Sequence, residues 1–125
     1  MSIEDIIEDY KSKTVIRRDG KDAHLLIPFF QRYEFDSVAV KLYEEGNDLF
    51  ISDCGGTFEH LTNRYVDPYE YRDVIERIKK RFCLFESPDH EFILRFPSGD
   101  LNSIEMFIGF FFQAISIIGN VDILG

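Results

Sequence analysis

Apolar positions along this chain change period several times, and each change predicts an element. Ile3, Ile6, Ile7 and Tyr10 recur at three- and four-residue spacing, which predicts an amphipathic helix of roughly three turns. Ser2 and Asp5 stand at capping-box spacing, Glu4, Glu8 and Asp9 share the polar face, and Lys11 and Lys13 close the helix as its dipole favours. Thr14 to Arg18 then alternates with period two, Asp19-Gly20 marks a hairpin turn, and Ala23 to Phe29 is an apolar strand. Pro28 cannot donate to a ladder, so this strand is expected to end there or to lie at a sheet edge. In Phe35 to Tyr43, Val38, Val40 and Leu42 face one way while Ser37, Ala39 and Lys41 face the other. A Gly46-Asn47-Asp48 turn leads to Leu49–Ser52, completing a half-buried meander of short strands.

The period then returns to that of a helix. Gly55 and Gly56 can take φ > 0, Thr57 is expected to be the N-cap, and Phe58 onward reads as helical. After a break at Thr62-Asn63-Arg64, Asp67-Pro68 opens another helix, with Tyr71, Val74, Ile75, Ile78 and Phe82 on one face. Cys83-Leu84-Phe85 and Glu91 to Phe96 predict a second strand pair around the Ser87-Pro88-Asp89-His90 turn. Pro97-Ser98-Gly99-Asp100 is a further turn, with Ser98 or Asp100 available to cap the final helix, Leu101 to Ile118. That helix is apolar nearly all round, so its faces need cover from the core or from another molecule, and Phe107–Ile118 is a candidate homo-oligomer seam. Its uninterrupted Met106–Phe112 run is too short to span a bilayer. Residues 120 to 125 form an apolar tail, read either as a short strand or as the start of a further domain. The pattern predicts one α+β domain over residues 1–125: an antiparallel sheet of five to six short strands with helices mainly on one face.

Composition narrows the partners. Thirteen Phe and six Tyr without Trp predict an aromatic-rich core, and 125 residues are enough to build one. Acidic residues outnumber basic ones 23 to 14, for a formal charge of −9, which argues against direct nucleic-acid binding through phosphates and permits a basic partner. Residues 34–59 carry seven acidic side chains against Lys41 alone. Glu34, Asp36, Glu44, Glu45, Asp48 and Glu59 are therefore the candidate partner-binding residues. The basic cluster Arg77, Lys79, Lys80 and Arg81 reads as a solvated helix end or as a phosphate patch. Cys54 and Cys83 lack zinc or redox spacing, and both are expected reduced, Cys83 buried. The first residues have neither a basic nor an apolar leader segment, so the expected setting is cytoplasmic, with no membrane.

The sharpest chemical candidate is the turn Asp53, Gly55, Gly56, Thr57. Backbone N–H groups at a helix N-terminus attract anions, and Asp-x-Gly-Gly-Thr resembles the first phosphate loop of sugar kinases in the hexokinase and actin superfamily. That loop joins two strands, however, whereas a helix follows here, and Glu44, Glu45, Asp48, Asp53 and Glu59 would repel phosphate. Asp53 with Glu59 could hold a hydrated divalent cation, and Cys54 with His60 could form a nucleophile pair. His24, His60 and His90 have no mutual ligand spacing. No catalytic residue, resident metal or cofactor is assigned.

Pro28-Phe29, Phe35 through Tyr43, the Leu49–Thr57 strand and turn, and Gln113-Ala114 in the closing helix together resemble the bacterial and phage proteins catalogued as domain of unknown function 1828. The resemblance implies a context of prophages and mobile elements and a fold, not a reaction. The resulting expectation is a non-enzymatic, acidic protein-binding module of a phage or mobile element, in the sharper form an anti-defence inhibitor that engages the basic surface of a host nucleic-acid-handling protein. The alternative is a small metal- or phosphate-dependent enzyme built on the Asp53 turn.

Overall fold

Two tight turns set the first half of the sheet. Gly20 and Gly46 both adopt φ +62°, a left-handed conformation that glycine takes without a Cβ penalty. They join β1 (Val15–Asp19) to β2 (Asp22–Arg32) and β3 (Asp36–Glu45) to β4 (Asp48–Ser52). The computed structural model describes residues 2–13, 15–32, 36–96 and 104–124. It contains one six-stranded sheet in the order β1-β2-β3-β4-β6-β5, every neighbouring pair antiparallel, with β5 at Phe85–Glu86 and β6 at Phe92–Phe96. The α+β architecture and the strand number are those the pattern predicts.

Two strand expectations change. β2 neither ends at Pro28 nor lies at an edge: it continues to Arg32 between β1 and β3. Pro28 is tolerated because β1 reaches only as far as the Val15–Leu26 pair and the β2–β3 register shifts between Ile27 and Gln31, so the missing N–H falls where both ladders are open. The strand expected from Cys83 shrinks to Phe85–Glu86, because Cys83 ends the preceding helix in a left-handed conformation (φ +58°). That position leaves Cys83 exposed rather than buried.

Helices α2 (Gly56–Asn63), α3 (Arg72–Phe82) and α4 (Ile104–Gly119) build the core over the sheet face that carries Leu25, Val40, Ile51, Leu94 and Phe96. Phe92, Phe111, Phe112, Ile115 and Ile118 are fully enclosed there, which realises the aromatic interior. The C-terminal tail is a short helix, α5 (Val121–Leu124), rather than a strand. Arg64 holds it, bonding both oxygens of Asp122 at 3.3 and 2.7 Å and the last carbonyl of α4, at Gly119.

Among the described residues, exposed apolar side chains include Phe85 and Ile123 and the faces of two helices. Helix α1 (Ile3–Lys13) has its capping box, with Ser2 and Asp5 each donating a backbone N–H to the other's side chain, yet Ile3, Ile6 and Ile7 are exposed. On α4, Met106 and Phe110 are exposed beside a hollow of about 170 Å³ that they share with Phe107. The predicted Pro97–Asp100 turn, its Ser98 and Asp100 caps and the helix start at Leu101 lie outside the described residues. No helix among the described residues is long and apolar enough to cross a membrane.

Burial separates two classes of substitution. Ile51→Ala is expected to lower the unfolding free energy by about 2–5 kcal/mol, whereas Ile6→Ser with Ile7→Ser should change it by about 0.5 kcal/mol or less per site. Urea unfolding followed by circular dichroism checks both.

Candidate functional site

The Asp53 turn is a closed hydrogen-bonding unit. Asp53 donates its N–H to the Phe92 carbonyl at 3.1 Å, and its Oδ1 accepts the Phe92 and Gly55 N–H groups, both at 2.9 Å. Its Oδ2 accepts the Thr57 N–H at 3.3 Å, and the Thr57 hydroxyl also donates to the carboxylate. Thr57 is therefore not the N-cap. Gly55 is, at φ +79° and without a capping side chain, and Asp53 supplies the acceptor from two residues upstream while Thr57 sits enclosed in the first turn. Burial pushes the Asp53 carboxyl above its ordinary pKa, opposed by the four donors aimed at it.

This arrangement answers the question of a ligand loop. Asp53 is 2 % exposed and both of its oxygens are engaged by the chain itself, so neither is presented to an anion or a cation. Glu59 is exposed on α2 and does not share that enclosure. Among the described residues no three His, Cys, Asp or Glu side chains are grouped to hold a metal ion. Burial, with Glu91 and Asp53 nearby, pushes the Cys54 thiol up, away from the thiolate a nucleophile needs, while His60 is buried in α2.

The acidic candidates are partly brought together. Glu44 and Glu45 are exposed on successive residues of β3 and so point to opposite faces of the sheet. Asp48 is paired across from Glu45 at the same hairpin tip and is bound by Arg95 at 2.7 and 2.8 Å. Glu59 belongs to a different element, Glu34 lies outside the described residues, and of Asp36 only the strand position is described. In the basic cluster, Lys79 is tied to Glu76 and Glu86, which leaves Arg77, Lys80 and Arg81 exposed at the end of α3.

A different site emerges between α2, the turn that precedes α3, and the β5–β6 loop. Asp67 caps a 3-10 turn (Pro68–Tyr71) through the Tyr69 N–H at 3.0 Å, with Pro68 at its first position, and the helix expected to open at Asp67-Pro68 begins only after this turn, at Arg72. Phe58, Tyr65, Asp67, Pro68, Tyr69 and His90 line an open groove of about 480 Å³ there. The His90 ring lies flat on Phe58 (centroids 4.1 Å apart, 3° between planes), and Tyr69 stands at right angles to both, 6.1 Å away. Tyr65 is 98 % and Tyr69 60 % exposed.

The groove is held from behind by an ionic cluster. Glu86 receives Arg72 at 2.8 and 3.3 Å, Lys79 at 3.1 Å and His90 Nδ1 at 2.9 Å, while His90 Nε2 lies 3.3 Å from the Tyr69 hydroxyl. Burial alone would raise the Glu86 carboxyl, but hydrogen bonds from Arg72, His90 and Lys79 outweigh it and bring the pKa down to about 2. Tyr65 (φ +61°) and His90 (φ +63°) are both left-handed non-glycine residues, a conformation that costs on the order of 1–3 kcal/mol each and is concentrated at binding and catalytic sites. Sequence reasoning passed over this site. The Tyr65-Val66-Asp67-Pro68-Tyr69 segment was its local signal, an aromatic pair around a turn, but nothing local links it to His90, 21 residues beyond Tyr69. No protein-family model, curated protein or solved structure was found that matches the chain.

Asp53→Asn removes an acceptor and aims an amide N–H at a buried backbone donor, so the expected loss of stability is about 1–3 kcal/mol, measurable by urea unfolding at neutral pH. Glu86 titrates lower when folded than its ordinary 4.5. Its stabilisation is thus complete above about pH 4.5 and is lost as pH falls toward 2. Thermal unfolding scanned over that window should show a smaller acid loss in Glu86→Gln than in the wild type.

Proposed function

We propose that the chain is an acidic, non-enzymatic protein-binding module whose partner presents a basic surface. One observation carries this reading: two tyrosines, 98 % and 60 % exposed, stand over a preformed aromatic groove whose walls are fixed by ring stacking and by the Glu86 cluster. Tyrosine supplies large contact area at low entropic cost and is enriched among the residues that dominate binding energy. The formal charge of −9 and the exposed Glu44 and Glu45 at the hairpin tip favour a cationic partner by steering and by complementarity. The narrower form of the proposal is an inhibitor from a phage or mobile element that engages the basic surface of a host nucleic-acid-handling protein. The metal- or phosphate-dependent alternative has no comparable support, because the Asp53 carboxylate is spent within its own turn.

Affinity capture from a bacterial lysate, with nuclease present, tests the reading when three proteins are compared: wild type, Glu44→Lys/Glu45→Lys/Asp48→Lys, and Tyr65→Ser/Tyr69→Ser. The expected result is one stoichiometric partner, lost with the tyrosine pair and weakened by charge reversal. Equal capture by all three would overturn it, and a melting temperature raised by a metal ion or nucleotide with no captured partner would restore the enzyme reading.

A further inference from the structure

We infer that the aromatic groove receives an arginine side chain presented by the partner protein. This deepens the protein-binding reading and rests on it. The lining of the groove carries one carboxylate, Asp67, and no lysine or arginine. Glu59, Glu70 and Asp89 are exposed and adjoin the lining residues Phe58, Tyr69 and His90 in the chain, and Asp67 itself forms part of the wall. The nearby cations are already committed: Arg64 to Asp122 at 2.7 Å, and Arg72 and Lys79 to Glu86 and Glu76. A phosphate or carboxylate ligand would meet uncompensated negative charge, whereas a cation would meet a complementary rim.

The walls select among cations. The Phe58 and His90 rings cover one another, so the accessible aromatic surface of the groove is that of Tyr69 and Tyr65. A guanidinium is planar and weakly hydrated, stacks on such faces and forks two N–H donors to a carboxylate, while an ammonium is a compact, strongly hydrated point charge. The protein already makes this contact internally, with the Arg72 guanidinium carbon 5.6 Å from the Tyr69 ring centre. Asp67 spends one carboxylate oxygen on the Tyr69 N–H and is exposed at the groove wall, where it can take the incoming fork.

The test uses the full chain and three labelled decapeptides of one Gly-Ser-rich sequence carrying arginine, lysine or citrulline at the same four positions, read by fluorescence anisotropy and by amide chemical shifts. The arginine peptide is expected to bind about tenfold more tightly than the citrulline peptide and several-fold more tightly than the lysine peptide, with shifts centred on Tyr65, Val66, Tyr69 and His90. Tyr65→Ser, at an almost fully exposed position, and Asp67→Asn, which keeps the capping oxygen, should each weaken binding several-fold with unchanged melting temperature. Equal binding of the arginine and lysine peptides, with shifts scattered over the acidic surface, would overturn the assignment. So would wild-type affinity in both variants. A captured partner that depends on the tyrosines but shows no arginine preference sinks the arginine assignment alone, whereas a partner indifferent to the tyrosines sinks the groove as a binding site altogether.

Discussion

Asp53 donates its N–H to the Phe92 carbonyl and its side chain accepts the Phe92 N–H, two hydrogen bonds between residues 39 positions apart. Around that exchange the rest of the structure is arranged. The same carboxylate that accepts from Phe92 also accepts from Gly55 and Thr57, so a single side chain closes the β4–β6 ladder and starts α2. With β6 fixed, the β5–β6 loop brings His90 onto Phe58, which α2 has just presented. The groove therefore exists because the turn beneath it is saturated. A carboxylate in an apolar setting would be costly alone, and that cost is offset by donors aimed at it from β6, the turn and the start of α2.

Function in this reading lies beside the conspicuous motif and not in it. Asp-x-Gly-Gly-Thr has the residue types of a ligand loop, but turn and ligand compete for the same carboxylate oxygens, and here the turn has them. The aromatic groove draws on three separate segments and has its charge set by subtraction. Its neighbouring cations are consumed by Glu86, Glu76 and Asp122, which leaves the acidic rim uncancelled.

Much of the fold was legible in the sequence because it is local. The Ser2–Asp5 box, the Gly20 and Gly46 hairpins, and the apolar face of α3 each depend on neighbours within a few positions, and the pattern of the chain records them. The departures come from backbone geometry and pairing that residue types alone do not record. Thr57 has the chemistry of an N-cap, and only the arrival of Asp53 from upstream shows it to be a donor instead. Pro28 reads as a strand end until the length of β1 is known. Cys83 reads as core until its left-handed backbone is seen. The Ile3-Ile6-Ile7 stripe has the spacing of a core face and remains exposed, since amphipathic periodicity reports that a face could be buried and not what buries it. The groove was illegible for the same reason: Tyr65, Tyr69 and His90 become a site only when β6 docks beside β4.

The position of β6 has a consequence for how the chain folds. Strands β1 to β4 form a meander of consecutive neighbours, each pairing across a short connection where both flanking strands are described, and such contacts close quickly. β6 joins β4 only after α2, the 3-10 turn, α3 and β5 have been threaded between them. The entropy of that closure must be met before the Asp53–Phe92 contact forms. Until β6 arrives, the edge of β4 that pairs with it has no partner strand and Ile51 lacks its Leu94 neighbour. An unpaired strand edge of this kind is open to edge-to-edge association with another copy of the chain.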